Sequence, residues 1–408
     1  MFTAPSLADP IVDNTVCLKG ALVVPPPKGD QNRSVQKSGV LDADGAFVEN
    51  SITWRNTNQI NLEPPMPAAE DIQTLEGSYM FAGPLFGHFG HFLVESICRF
   101  WAVDHLKGKI DGIAFVPKFQ NRPQHVVGVF RPLIEMLGVD VPVINIEDPT
   151  RVETLYVPQQ GFGMFEMIEG APEFRDWIKS KGGKGVAPQG EKKIYVSRSA
   201  LPPARGSLLG EKRLEALLEA EGYTAFHPQK HNFEEQIAAY KAATHIISID
   251  GSPLHMAALV CDANQKVACI ARRAGDLDEI FARQLKAFQG IETTTISALK
   301  QNWIPETDNR PSRVSFGEVD FGILYALCRV HRIWLIFGDR QKDQQDQEIR
   351  KTRIADITVR CAGVKPDDPD HGNQANIIEA GVADWVRHHG GGSFGKPVEC
   401  RILWLPKG

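Results

Sequence analysis

The chain has 408 residues, a formal net charge of −5 and a hydrophobic fraction of 42%. At about 150 residues per domain this length points to two or three domains, enough to bury large cores without disulfide staples. The mildly acidic balance offers no broad cationic field, which excludes a non-specific binder of nucleic acid or anionic lipid, although local basic clusters could still hold phosphates.

Residues 1–70 are rich in proline and polar residues, including Pro25-Pro26-Pro27, and read as an irregular N-terminal arm with short strands. Met1 to Pro10 has neither a basic n-region nor an apolar h-region, so no secretory signal is expected. Cys17, Cys98, Cys261, Cys269, Cys328, Cys361 and Cys400 are scattered and form no CxxC pair, the pattern of reduced thiols in a cytosolic protein. Charged residues interrupt every apolar run before the ~20 residues of a membrane span. A cytoplasmic protein without a transmembrane segment is therefore expected, with peripheral membrane association left open.

Residues 71–185 read as a first α/β domain. A helix is expected over His88–Leu106, strands at Gly112–Val116, Val141–Ile146 and Thr154–Val157, and a helix at Val126–Leu137. In the first helix His91, Glu95 and Arg99 stand at i, i+4 and i+8 and so share one face. That face is either a solvated ion pair or the polar wall of a cleft, where His91 serves as acid or base and Arg99 grips an anion.

Residues 180–191 (SKGGKGVAPQGE) are the best linker candidate. Residues 186–300 then alternate strictly: strand Lys193–Ser197, helix Gly210–Glu221, strand Tyr223–Phe226, helix Phe233–Ala242, strand His245–Ile249, helix Pro253–Val260, strand Val267–Ile270. Caps, glycines and periodicity agree on a Rossmann-like unit. Its first strand delivers Ser197 and Arg198 at the carboxyl edge where ligands bind in open α/β sheets, with Arg205 close behind. A loop arginine with no ligand reads equally well there. Asn232 and Glu235 have capping-box spacing, which accounts for Glu235 without function, although a carboxylate at this edge could also hold a ribose diol. Asp250-Gly251-Ser252-Pro253 joins a buried strand to a helix: Gly251 permits the turn, Ser252 is an N-cap residue and Pro253 suits the first helical position. The helix start attracts an anion such as a diphosphate. Asp250 then faces a sugar or merely bonds the turn, and His255 is either a core histidine or a ligand contact.

Beyond residue 300 the pattern weakens. Arg332–Phe337 and Ile357–Cys361 look like strands flanking the polar stretch Asp339–Arg350, Gly390-Gly391-Gly392 punctuates the end, and 301–408 form an extension of unclear role.

Four motifs in order resemble the glycosyltransferase 61 family, the group associated with capsular-polysaccharide-type glycosyltransferases. They are Gly90-His91-Phe92-Leu93-Val94-Glu95-Ser96-Ile97-Cys98-Arg99, Lys193-Ile194-Tyr195-Val196-Ser197-Arg198, Phe233 with Glu235 and Gln236, and Ile249-Asp250-Gly251-Ser252-Pro253-Leu254-His255. The sequence departs from the family pattern at Asp250, where the family has His, at His255, where it has Asn, at Glu95 for Asp and at Cys98 for Pro. The resemblance implies a GT-B-like pair of Rossmann-like domains and inverting, metal-independent transfer from a nucleotide sugar to a saccharide hydroxyl in cell-surface or capsular polysaccharide biosynthesis, reached from the cytosolic side. Asp250, His91 and Glu95 become the catalytic candidates, and Arg99, Ser197, Arg198, Arg205, Glu235, Gly251, Ser252 and His255 the donor-binding candidates. Whether Asp250 or His91 is the base stays open. No cofactor or metal is expected: Asp42, Asp44, Asp367 and Asp368 lie in polar loops outside the α/β pattern. An epimerase or phosphorylase on the same fold, or a non-catalytic glycan- or nucleotide-binding protein, are the alternatives.

Overall fold

The computed structural model describes residues 2–30, 33–118, 122–275, 277–324 and 359–362. Its first sheet is built from β1 (Thr15–Val24), β2 (Gly39–Leu41), β3 (Gln73–Leu85), β4 (Gly112–Pro117), β5 (Val143–Asn145) and β6 (Thr150–Pro158), in the order β2-β1-β6-β3-β4-β5. The four strands β6, β3, β4 and β5 run parallel, while β1 and β2 close one edge antiparallel. β4 is apolar along its whole length because it is covered on both faces: Ile113 and Phe115 enter one core, Ala114 and Val116 another.

The second sheet contains β7 (Lys193–Val196), β8 (Thr224–Phe226), β9 (His245–Ile249), β10 (Lys266–Ile270) and β11 (Thr294–Ile296). All are parallel, in the order β8-β7-β9-β10-β11. This is a doubly wound order, and its topological switch lies between β7 and β9, which is where such sheets bind ligands. The α/β expectation holds, and the four strands expected in this unit all form, with β11 as a fifth that was not expected. A third, antiparallel sheet joins β12 (Leu299–Pro305), β13 (Phe316–Val319) and β14 (Val359–Ala362).

Helices α1 (Pro123–Met136), α2 (Pro172–Lys181), α3 (Glu211–Ala220), α4 (Phe233–Ala242), α5 (Ser252–Val260) and α6 (Leu277–Gln289) cover the sheets. One hydrophobic cluster runs through both halves: Phe92, Phe115 and Phe174 meet Leu254 and Met256 of α5 and Leu285 and Phe288 of α6. Phe162, Phe174 and Phe288 stack together across this seam, with ring centroids 4.7 to 6.0 Å apart. The opposite face of the second sheet packs Tyr195, Ile247 and Ile270 under Leu214 and Leu218 of α3.

The segment 1–70 is more ordered than an irregular arm, because β1 and β2 complete the first sheet. Its acidic turn is used by the fold, since Asp42 Oδ1 accepts the Asp44 and Ala46 N–H groups at 3.0 and 2.8 Å. The expected linker is held down as well. Val186 is buried, Lys241 donates to the carbonyls of Gly183 and Val186, and Gln189 N–H donates to Ala238. The expected strand at 357–361 falls on β14, whereas Arg332–Phe337, Asp339–Arg350, Asp367, Asp368 and Gly390–Gly392 lie outside the described residues. Among the described residues no helix is long and apolar enough to cross a membrane.

A Cβ on Gly182 would collide with the backbone carbonyl of Leu259 in α5 and lie 2.9 Å from that of Ile178. Neither is the movable tip of a side chain. Gly182→Ala is expected to cost about 1–3 kcal/mol in urea denaturation. An unchanged midpoint would mean that this segment is a free linker and that the two halves do not share a core.

Candidate active site

The expected helix over His88–Leu106 is broken into an α-helical turn (Phe89–His91), a π-helical turn (Phe92–Ser96) and a 3-10 turn (Phe100–Ala102). The π turn carries an i→i+5 bond from Ile97 N–H to Phe92 O at 3.3 Å. Such bulges change the angular register of everything that follows. His91 precedes the π turn and Glu95 lies within it, and the two meet as expected, with His91 Nδ1 2.6 Å from Glu95 Oε2. Arg99 follows it and is turned off the face.

Arg99 is therefore not a donor-site residue. It is fully buried and donates to Pro158 O, Thr53 Oγ1, Ala82 O, Asn50 O and Ile52 O at 2.7 to 3.4 Å. Five N–H groups meet five acceptors, which leaves none for a ligand.

Glu95 is also fully buried, and Arg55 grips it with both oxygens used: Nε to Oε1 at 2.5 Å and Nη2 to Oε2 at 2.9 Å. Burial pushes the Glu95 carboxyl up, but hydrogen bonds from His91 and Arg55 together with their charge hold it below the usual range. An ionised carboxylate only accepts, so the His91 nitrogen that faces it, Nδ1, carries a proton, and Nε2 is the nitrogen turned away from Glu95. The His91 ring is part-exposed, stacks on Phe86 at 5.2 Å and meets His88 edge-on at 5.2 Å.

Opposite stands the carboxyl edge of the second sheet. β7 delivers Ser197 and Arg198, β9 delivers Asp250 and Gly251, and β10 delivers Arg272 and Arg273. α5 begins at Ser252, so its positive end faces the same space. A Cβ on Gly90 would lie 2.5 Å from Ser252 Oγ and 3.6 Å from His255 Cδ2, which explains the glycine and fixes His91 beside the start of α5. A Cβ on Gly251 would lie 3.3 Å from Arg198 Nη1, so the guanidinium sits against the turn.

Asp250 does not fit a catalytic base. It is buried, and its oxygens accept from Arg272 N–H at 2.8 Å and from Arg273 Nε and Nη2 at 2.9 and 2.6 Å. It organises two arginines that the motif spacing did not single out, although they directly follow an expected strand. Arg272 is pushed down to about 9, chiefly by burial, with Arg273 and Arg198 adding repulsion against the pull of Asp250. Arg198 is lowered for the same first reason, with Arg273 and Arg205 again opposing its charge. Burial takes His88 down to about 3, and His91, Arg313, Arg205 and Arg198 push the same way. Arginines from four segments thus gather at this edge of the sheet, with Asp250 and Glu211 as the carboxylates that offset their charge.

Other candidates are occupied by the fold. Ser197 Oγ donates to Glu211 and Glu215. Glu235 closes the capping box of α4 with Asn232, at 3.0 and 2.9 Å, so its carboxylate serves the helix. His255 is buried with Nδ1 2.6 Å from Gln284 Oε1, and burial lowers it to about 4. The chamber therefore gathers His91, Glu95, Arg198, Arg205, Gly251 and Ser252 and excludes Arg99 and Glu235. Among the described residues no group of three His, Cys, Asp or Glu side chains is placed to hold a metal.

Asp250→Asn takes the charge partner from part-buried Arg273 and the nearby anion from buried Arg272, and is expected to cost roughly 3–5 kcal/mol of stability. A loss below about 1 kcal/mol in denaturant titration would contradict the anchoring role. Acid sensitivity follows from the histidines. His88 and His255 are held below their ordinary 6.5 in the native protein, so unfolding lets them bind protons. Stability is expected to be intact above pH 6.5 and to fall as the pH drops toward 4; equal urea midpoints at pH 7.5 and 5 would contradict this.

No curated protein matches the chain. Residues 89–268 match the family model described as Glycosyltransferase 61, a stretch that begins one residue after His88 and ends inside β10. That segment, which holds the His91–Glu95 pair and the Asp250-Gly251-Ser252 turn, is similar to the glycosyltransferase 61 family.

Proposed function

We propose that the protein is a glycosyltransferase that moves a sugar from a nucleotide-sugar donor to a saccharide hydroxyl with inversion, and that His91 is the general base. The observation that carries this reading is the juxtaposition of an oriented histidine with an arginine chamber across the Gly90–Ser252 contact. The first sheet then serves the acceptor and the second the donor, as in a GT-B-like pair. The donor diphosphate lies at the start of α5, between Arg198 and Arg273, where guanidinium groups and helix-terminal N–H groups suit phosphate oxygens.

In the reaction His91 Nε2 takes the proton of the acceptor hydroxyl as its oxygen attacks the anomeric carbon. The bond from that carbon to the diphosphate oxygen breaks, and the electron pair leaves with the nucleoside diphosphate. Glu95 stabilises the imidazolium that forms. Arg198, Arg205 and Arg273 offset the charge gathering on the leaving group. An acceptor glycan of the cell surface or capsule, reached from the cytosolic side, completes the proposal.

His91→Ala is expected to lower transfer by about 10²- to 10⁴-fold while nucleoside diphosphate affinity changes less than about threefold. Both are read by turnover with a panel of nucleotide sugars and by calorimetry. Wild-type turnover in His91→Ala would remove the base from this position.

A further inference from the structure

We propose that Arg55 is a positioning residue for the base, so that the segment around Thr53–Arg55, upstream of the family-matched residues, completes the active site. Its catalytic consequence rests on the reading of His91 as the base; its effect on proton binding by the His91–Glu95 pair does not.

The segment is mounted rigidly where this role needs it. Gln160 clamps Trp54 from both sides, its Oε1 accepting Trp54 N–H at 2.6 Å and its Nε2 donating to Trp54 O at 3.1 Å. Thr53 N–H donates to Asn61 Oδ1 at 2.7 Å, and Arg99 holds the carbonyls of Asn50 and Ile52 from beneath. The next residue is Arg55. Its guanidinium lies over the Phe86 ring at 5.6 Å, the same ring on which His91 stacks. From there it makes its two-point contact with Glu95. Arg99, which the helical spacing offered as an anion clamp, in fact secures the loop that presents Arg55.

A carboxylate with no exposure is costly to ionise alone, and His91 by itself would share its proton with it. Arg55 supplies a fixed charge that keeps Glu95 anionic without a proton from the pair. Its Nη2 also stands 3.4 Å from His91 Nδ1, so the guanidinium spans the carboxylate and the ring together. Among the described residues, His88, His255, Lys118 and Cys98 also lie within electrostatic reach of the pair. The bidentate fork fits guanidinium geometry, which an ammonium group cannot reproduce.

The test follows proton uptake by the pair in Arg55→Gln and Arg55→Lys, using imidazole NMR of His91 in the free protein and the pH dependence of kcat/KM. Arg55→Gln is expected to raise the midpoint by about one to two pH units and to move the acid limb of the rate profile upward with it. Arg55→Lys is expected to keep the midpoint near wild type while kcat falls, because charge is retained and orientation is not. A rate loss of the same size at every pH, with an unmoved NMR midpoint, would reduce Arg55 to a structural residue and overturn the proposal. If Arg55→Gln fails to fold, a rate profile and midpoint indistinguishable from wild type in Arg55→Lys, at unchanged kcat, would overturn it equally. A raised midpoint in a protein without transferase activity would uphold Arg55 and reject His91 as the base.

Discussion

The site depends on one close approach: the backbone at Gly90 against Ser252, where no side chain larger than hydrogen fits. Gly90 belongs to the turn that carries His91, and Ser252 opens the helix whose positive end faces the arginines. Separate the two by the width of a methyl group and His91 no longer borders the start of α5. The shared core of Phe92, Leu254, Met256 and Phe288 holds them at this distance. Close packing transmits small displacements, so geometry at the site is set by residues far from it.

The two walls use the same electrostatic device with opposite emphasis. On one, Arg55 holds buried Glu95, and the carboxylate orients a histidine. On the other, buried Asp250 holds Arg273 and the backbone of Arg272 at the carboxyl edge of the second sheet. Buried charges of this kind add little net stability but are expensive to break. Their value here is placement. Asp250 stands where the glycosyltransferase 61 pattern has a histidine, and its partners show why that change need not remove the chemistry: in this chain the position serves as an anchor.

The second sheet was legible because several local signals coincide in it. Gly251 turns the chain after buried β9, Asn232 and Glu235 form a real capping box, and Pro253 lies in the first turn of α5. The turn at Asp250-Gly251-Ser252 was legible as backbone and misleading as side chain. Spacing shows that a carboxylate is there; only the fold shows that Arg273 consumes it. Arg99 was misplaced because a 3.6-residue period was assumed across a segment containing a π turn, which nothing in Phe92–Ser96 announces. Arg55 and β1 were hidden in a proline-rich stretch whose strands pair with β6, more than a hundred residues away. Arg272 and Arg273 could have been found, since they follow an expected parallel strand at the carboxyl edge.

Whether this chamber receives the diphosphate of a nucleotide-sugar donor is tested most directly by a crystal structure of the full chain with a nucleoside diphosphate bound. Phosphate oxygens are expected within hydrogen-bonding distance of Arg198, Arg273 and the first turn of the Ser252–Val260 helix, with His91 Nε2 facing the terminal phosphate side. A nucleotide bound elsewhere, with Arg198 still on the Arg205 and Gly206 carbonyls and Arg273 on Asp250, would contradict that assignment.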